Sequence, residues 1–267
     1  MLTALALVAT GVIAGILGAL LGLGGGVFLV PALTLAFHFP IRIAIGTSLV
    51  GVIATSAGVA VMAAQGRGAD VPLALRLELA TTVGAVVGST LAGHLSAQAL
   101  SFLFAGVVFF AAGYTWYKAR RQKVVQGDTP QEEDLFKADY RVRHWPIGLS
   151  FASVAGALSG LVGVGGGFLK VPVMYAFMDV PLGVATATSN FMVGITAGAS
   201  VFVYYTRGDI YPLVTVPTAV GAFIGAAGGR RLASRLRVAW LRQALILLLL
   251  VIGAQMLLKG MGIHVLP

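Results

Sequence analysis

Long apolar segments, separated by short polar stretches, fill both halves of this chain. There are five in each half, at residues 2–21, 25–37, 43–64, 73–92 and 100–117, and at residues 146–161, 165–178, 184–205, 213–229 and 241–258. Most of them approach the roughly 20 residues that a helix needs to cross the hydrocarbon core of a bilayer. The pattern predicts an all-α polytopic membrane protein in contact with the lipid bilayer.

The second segment of each half is too short for an ordinary crossing. At about 1.5 Å per residue, a helix over residues 25–37 reaches about 20 Å of a core that is about 30 Å thick. The first two segments together are too long for one helix in the bilayer, so we expect them to form a hairpin, either fully crossing or re-entrant. A hairpin adds no net crossing, and each half then crosses an odd number of times. The sequence therefore predicts two inverted-topology repeats, with about 8 to 10 transmembrane or re-entrant helices.

Similar glycine-rich stretches in the two hairpins indicate a duplication. They are GALLGLGGGVFLVPAL, which begins at Gly18, and SGLVGVGGGFLKVPVM, which begins at Ser159. Further along, VGAVVG at Val83 matches VGAFIG at Val220, with a slightly smaller spacing that small loop deletions would explain. Nearly the whole of both halves can be aligned in this way, so we interpret the chain as an internally duplicated protein.

The few charged residues, 10% of the 267 positions, lie mostly outside the apolar segments. Seven Lys and Arg residues lie at 118–143 and five Arg at 230–242, whereas the loop at 93–99, which matches the second group, has none. Lys and Arg collect in cytoplasmic loops, so we expect both basic stretches inside and both termini outside. The predicted organisation is a first membrane repeat at 1–117, a charged cytoplasmic linker at 118–145 and a second membrane repeat at 146–267. The expected location is the bacterial inner membrane, with multiple crossings.

Composition argues against several functional classes. The net charge of +9 needs no nucleic-acid partner, because basic loops beside membrane helices follow from topology and lipid headgroups. The absence of cysteine excludes thiolate metal sites and Cys nucleophiles, and the four His lie at segment ends or in loops, so we expect no metal and no cofactor. No nucleophile or carboxylate pair is evident at membrane depth, which argues against an enzyme. Glu78 lies near the start of its segment, and no mid-membrane carboxylate that could couple transport to protons is apparent.

The two glycine runs are the first candidate site. Gly24, Gly25 and Gly26 match Gly165, Gly166 and Gly167. Backbone away from helical geometry is tolerated at membrane depth where it is buried in protein or lines a polar cavity, and glycine permits positive φ. A helix that restarts after each run would point free N–H groups and its positive dipole end at the gap, which favours an anion. The alternative is that the glycines only allow close helix packing.

Polar residues near the glycine runs are the second candidate group. Lys170 is a cation inside an apolar segment, where its partner position in the first half is Leu29. Ionisable residues in the membrane are costly and often functional, so we expect Lys170 to bind an anion, the alternative being a side chain that snorkels to the interface. The hydroxyl and amide side chains at the starts of the third segments could bind an anion or bond back to helix carbonyls. They are Thr47, Ser48, Thr188, Ser189 and Asn190.

The doubled pattern L-x-G-x-G-G-G-x-x-x-x-P, at residues 20–31 and 161–172, resembles the TauE/SafE family, also called the sulfite exporter family of membrane permeases. The resemblance covers essentially the whole chain, including the duplicated halves and the charged linker. It implies export of small sulfur-containing anions such as sulfite, sulfoacetate or related organosulfonates. The glycines of both runs, Pro31 and Pro172 are the positions that match the family pattern.

The sequence thus favours a transporter that moves a small anion outward by alternating access around a midplane site between the repeats. With no mid-membrane carboxylate in view, the inside-negative potential would drive the anion as a uniport, the alternative being coupling to sodium bound by unwound backbone carbonyls. An anion channel, or a membrane subunit of a larger complex, is the alternative, and a homo-oligomer is compatible with either.

Overall fold

The computed structural model describes residues 2–21, 24–63, 69–124, 140–233 and 238–262. Within these ranges the chain forms ten helical segments and no strand. They are α1 Leu2–Leu21, α2 Gly26–Pro31 with a π-helical continuation over Ala32–Ala36, α3 Ile41–Ala63, α4 Val71–His94, α5 Ala97–Val124, α6 Trp145–Val162, α7 Gly167–Phe177, α8 Leu182–Thr206, α9 Pro212–Ala233 and α10 Val238–Gly260. Seven of the described helices are long and apolar enough to cross a membrane, which confirms an all-α polytopic membrane protein.

The largest difference from the predicted segments is at the end of α5. The apolar pattern ends at residue 117, but the helix continues to Val124 through the basic sequence KARRQK. Apolar patterning marks where a helix leaves hydrocarbon, whereas its hydrogen bonds can continue into water over residues with good helix propensity. The second segments are confirmed as short helices, since α7 and the combined α2 and π-helical turn each have 11 residues.

Corresponding helices of the two halves begin at one constant spacing along the sequence, the same spacing that pairs Gly24 with Gly165. Four pairs of corresponding helices begin at positions matched in this way, namely Gly26 with Gly167, Ile41 with Leu182, Val71 with Pro212 and Ala97 with Val238. The predicted match of Val83 with Val220 is therefore wrong, because the helices pair Val83 with Ile224, one turn further on. Both stretches repeat glycine every fourth residue, so an alignment shifted by one helical turn still superposes glycine on glycine.

Packing contacts agree with this common register. A Cβ atom added to Gly84 would lie 2.0 Å from the carbonyl oxygen of Ser153, and one added to Gly225 would lie 2.1 Å from that of Val12. The register pairs Gly84 with Gly225 and Val12 with Ser153, so the two contacts are equivalent. The corresponding helix pairs, α4 with α6 and α9 with α1, are thus packed in the same way through backbone that only glycine allows to approach so closely.

The helix directions follow from the same kind of contact. Along α1 and α9, Gly11 faces Thr218 and Gly15 faces Ala222, so these two helices run parallel. The pair α4 and α6 is parallel for the corresponding reason, because Gly84 faces Ser153 and Gly88 faces Ala157. Each half therefore supplies the first helix that covers the fourth helix of the other half.

The two third helices cross in opposite directions at the centre. In α3, Gly46 lies beside Asp209, just past the end of α8, while Ser56 bonds Asn190 near its beginning. Since α3 runs parallel to α9, and α8 runs parallel to α4, the helices α1, α3 and α9 point one way and α4, α6 and α8 the other. This is the arrangement that inverted repeats require. Orientation across the membrane, the linker boundaries and the position of the termini stay predictions.

Candidate functional site

Both glycine runs break the helical backbone as expected. Gly24 and Gly25 have φ values of 81° and 70°, and Gly165 and Gly166 have φ values of 86° and 73°. These left-handed conformations are accessible to glycine without the steric cost that a Cβ atom brings. In each half they turn the chain after the first helix, and the short second helix begins at the next residue, at Gly26 and at Gly167.

The two hairpins meet at the centre of the molecule. A Cβ atom added to Gly26 would lie 2.1 Å from the carbonyl oxygen of Gly163, so the first hairpin touches the second through backbone alone. The hydroxyl of Ser48 in α3 lies 3.0 Å from the same oxygen and 2.8 Å from the carbonyl oxygen of Ile45, and can donate to either. Gly24 lies between Val52 of α3 and Val193 of α8. We call this group, Gly24 to Gly26, Gly163 to Gly167, Ser48 and Thr55, the hairpin cluster.

Hydroxyl groups satisfy the carbonyls that the breaks leave without helical partners. Thr55 lies 3.1 Å from the carbonyl oxygen of Gly24 and 2.9 Å from that of Val52, and can donate to either. Ser189, which corresponds to Ser48, is fully buried and has no hydrogen-bond partner among the described residues. Its matching acceptor would be Gly22, which lies outside the described residues.

Lys170 lies in α7, one turn after the glycine run, and is buried with 3% of its surface exposed. Its Nζ atom donates a hydrogen bond of 2.8 Å to the Thr196 hydroxyl and lies 3.6 Å from Oε2 of Glu78. The Thr196 hydroxyl in turn donates a hydrogen bond of 2.6 Å to Oε1 of Glu78. Lysine, threonine and glutamate thus form a closed triangle across α7, α8 and α4, which we call the charge cluster.

Glu78 is the residue that sequence reasoning missed, because it lies near the start of its apolar segment, whereas the structure places its carboxylate beside Lys170. Its side chain is buried, with 4% of the residue exposed. Its partner Thr196 lies near the middle of α8, which runs from Leu182 to Thr206, so the triangle is about halfway along that helix. The distance of Glu78 from the start of α4 does not show this, because α8 begins well before α4 in the direction that the two helices share. The signal in the sequence was Lys170 itself. A cation buried in an apolar segment needs a compensating negative charge, so a carboxylate should have been expected beside it.

The charge cluster, which combines Glu78 of the first half with Lys170 and Thr196 of the second, occurs at one of the two pseudo-equivalent sites. In the register shared by the two halves, the position of Lys170 corresponds to Leu29 and that of Glu78 to Ala219. Thr196 corresponds to Thr55, which contacts the Gly24 carbonyl instead of a charged side chain. The two pseudo-equivalent sites therefore share their backbone and their threonine but differ in charge.

The remaining predicted site residues make contacts between helices. Thr47 lies 3.0 Å from the hydroxyl of Thr215 in α9. Thr188 accepts a hydrogen bond of 3.0 Å from the backbone N–H of Asp70, and the backbone carbonyl of Asn190 accepts one of 2.7 Å from Ser56. Of the predicted residues, the structure brings Ser48 and the glycines together, places Lys170 in the adjoining charge cluster and leaves Thr47 and Thr188 on separate helix contacts.

Asp70 ties the segment after the linker to the start of α4. It is the N-cap residue of α4, where its side chain accepts a hydrogen bond of 2.9 Å from the Leu73 N–H. The hydroxyl of Tyr140 donates to the second oxygen of the same carboxylate. Burial, together with this hydrogen bond, raises the pKa of Tyr140 above its usual value, so the phenol stays protonated as a donor. The carboxylate of Asp70 therefore joins α4 to the residues that precede α6, while its backbone N–H binds Thr188 of α8.

Replacing Asp70 by alanine is expected to lower the free energy of unfolding by about 0.5–2 kcal/mol, because α4 loses its N-cap and Tyr140 loses its acceptor. Asp70→Asn keeps an oxygen for the Leu73 N–H and should cost less. Thermal unfolding in detergent measures both. Asp179→Asn is the control, since Asp179 is exposed and lies 3.9 Å from Arg143, and equal losses in Asp70→Ala and Asp179→Asn would contradict the N-cap role.

Comparison with known proteins supplies the family. The family described as "Sulfite exporter TauE/SafE" matches residues 7–256. The chain is 30% identical to the probable membrane transporter protein YunE of Bacillus subtilis (strain 168) over 269 residues, which cover 95% of this chain and 97% of that protein. It is 27% identical to the probable membrane transporter protein YdhB of the same organism, over 92% of this chain and 96% of YdhB. No solved structure matches the chain.

A third relative, a probable membrane transporter protein of Xylella fastidiosa (strain 9a5c), is 28% identical over 85% of this chain and 84% of its own length. The family match extends through both glycine hairpins and the helices that pack around them. The chain is therefore a multi-pass membrane transporter, and it belongs to the TauE/SafE sulfite exporter family.

Proposed function

We propose that the protein exports small sulfur-containing anions, such as sulfite or organosulfonates, across the bacterial inner membrane by alternating access. The observation that carries the proposal is the contact between the two broken hairpins, where Gly26 abuts the Gly163 carbonyl. Broken helices that meet between inverted halves are the usual place for a transporter's substrate site. The family match supports the chemical class of the anion.

The proposed binding residues surround this contact on the side of the second hairpin. The α7 helix begins at Gly167 after an N-cap glycine without a side-chain cap, so its first N–H groups are available to an anion. Lys170 follows within one turn and supplies a positive charge. Ser48, Ser189 and Asn190 add polar groups from α3 and α8, and the corresponding first hairpin contributes the glycine backbone that closes the site.

Access to this site requires movement of helices. Gly26, Ser48 and Lys170 are all buried in the described conformation, which is therefore closed around the proposed binding residues. Opening to either side would separate the contacts between α3 and α8 that cross at the centre. A carrier that alternates between two such openings fits this arrangement better than a continuously open pore.

Labelled-anion counterflow in proteoliposomes tests the proposed function. Vesicles loaded with unlabelled sulfite, sulfoacetate, taurine or thiosulfate are diluted into the same compound carrying label, and saturable transient accumulation of label is expected for at least one of them. Protein-free vesicles are the control. Flux without saturation would indicate a channel, the second candidate, and absence of flux with every compound would overturn the proposed transport of these anions.

A further inference from the structure

We propose that Glu78 and Lys170 couple anion movement to a proton, so that the transporter carries the anion and one proton in the same direction. The inference rests on the proposed function, because it needs an anion that approaches Lys170. In the empty protein the Lys170 ammonium is neutralised by the Glu78 carboxylate. When an anion takes the place of that carboxylate beside Lys170, a proton from the open aqueous side binds Glu78.

The geometry leaves one carboxylate oxygen available for this proton. Oε1 of Glu78 accepts hydrogen bonds from Thr196 at 2.6 Å and from Thr82 at 3.5 Å. Oε2 has no hydrogen-bond donor among the described residues, and Lys170 lies 3.6 Å away from it. A buried carboxylate oxygen without a donor is costly as long as it is charged. Protonation at Oε2 removes that charge without breaking the hydrogen bonds to Oε1.

Lys170 is the one charged side chain that faces Glu78 in the described part of the chain. The helices packed against α4 are α6 and α8, and neither contains Asp, Glu, Lys, Arg or His. On α4 itself, Arg76 lies over the ring of Trp145 at 5.3 Å and His94 is at the far end of the helix. On α7, Tyr175 is the other titratable residue and is exposed. The charge of Glu78 therefore depends on what Lys170 binds.

The net charge of the site then determines in which states the transporter can change between its two openings. The empty site holds one positive and one negative charge, and the site loaded with a monovalent anion and a proton holds the same sum. An anion bound without a proton would leave an excess negative charge in the protein interior, and a proton bound without an anion would leave an excess positive charge. Both of these states are strongly disfavoured in a buried environment. Anion and proton are consequently taken up and released together.

The stoichiometry follows from the asymmetry of the repeats. Positions that correspond to Lys170 and Glu78 in the other pseudo-equivalent site hold Leu29 and Ala219. A single exchangeable pair gives one proton per anion. For a monovalent anion the cycle moves no net charge, so the membrane potential should not drive it, in contrast to the uniport expected from sequence alone. An inward pH gradient opposes outward movement in this cycle, so net export requires an outward gradient of the anion that exceeds the inward gradient of the proton.

Proton counting in proteoliposomes tests the coupling. A pH dye trapped in the lumen reports protons while labelled anion enters, with the monovalent organosulfonates methanesulfonate and isethionate as probes. We expect wild-type protein to bring in one more proton per anion than Glu78→Gln. Protons carried by the probe itself are the same for both proteins and cancel in this comparison. Asp179→Asn, which removes a carboxylate from an exposed ion pair, is the matched control and should count protons as the wild type does. Equal counts in wild type and Glu78→Gln would overturn the inference.

A second measurement needs no variant. With the potential clamped at zero by potassium and valinomycin, a gradient of one pH unit should accumulate a monovalent organosulfonate such as methanesulfonate or isethionate about tenfold on the alkaline side, because each anion carries one proton. Both probes keep their charge near neutral pH. If counterflow of an anion occurs without this accumulation, the coupling is wrong and the proposed function stands. If no anion exchanges in counterflow at all, the proposed function fails, and the coupling fails with it.

Discussion

Replacing Lys170 by methionine should destabilise the folded protein as well as weaken anion binding. Methionine removes the ammonium that pairs with Glu78 and leaves a carboxylate buried with 4% exposure and no compensating charge. Breaking a buried pair on one side costs about 3–5 kcal/mol, because an uncompensated charge remains. We expect the unfolding midpoint in detergent to fall by about 10 °C. From sequence alone, with Lys170 as the isolated charge at that depth, folding would be expected to stay intact.

The double variant Lys170→Met/Glu78→Gln separates the two effects. It contains no buried charge at the triangle, so it should recover most of the lost stability while anion binding stays impaired. A thermodynamic cycle over the wild type, the two single variants and the double variant gives the coupling between the residues. A double variant as unstable as Lys170→Met would show that the ion pair does not explain the loss.

Replacing Gly26 by alanine is expected to reduce anion exchange by about tenfold or more. The new Cβ atom would lie 2.1 Å from the Gly163 carbonyl oxygen. No side-chain rotation can relieve this contact, because the position of Cβ is fixed by the backbone at residue 26 and the oxygen belongs to the backbone of Gly163. Overpacking of this kind costs about 1–3 kcal/mol. Because the hairpins touch in the closed conformation, that cost falls on this state and shifts the population by about 5- to 150-fold. Initial rates of counterflow measure the effect.

Gly198→Ala is the matched control for Gly26→Ala. Gly198 lies within α8, and a Cβ atom added there would meet nothing within 4 Å in the described structure. Alanine in an open helical position is expected to be neutral or to stabilise the helix by about 0.5–1 kcal/mol. If both variants exchanged anion at the wild-type rate, the hairpin contact would not take part in transport.

The helices and the glycine breaks could be predicted because their causes are local. Apolar length sets each membrane segment, and the doubled glycine run sets positive φ at Gly24, Gly25, Gly165 and Gly166. Pairing across the molecule is not local in this sense. Glu78 looked like a helix-end residue because only its distance from the start of its own segment is visible in the sequence. Its depth depends on how far α4 is shifted along α8, and that shift is set by packing.

Repeat alignment failed for a related reason. Glycine recurs at every fourth residue in the fourth helices, so a shift by one turn keeps most glycines superposed. The structure distinguishes the two registers because the glycines must face particular carbonyls of the neighbouring first helix, as Gly84 faces Ser153. Asymmetry between the halves at Lys170 was readable from the sequence, while its partner became visible only in three dimensions.

The exchange of helices between the halves limits how this chain can be divided. Helix α1 of the first half packs on α9 of the second, and α6 of the second half packs on α4 of the first. The main packing partner of each first helix therefore belongs to the other half. Cutting the gene within the linker would give two fragments that each expose a row of glycine backbone, and they would regain that cover only by assembling with each other.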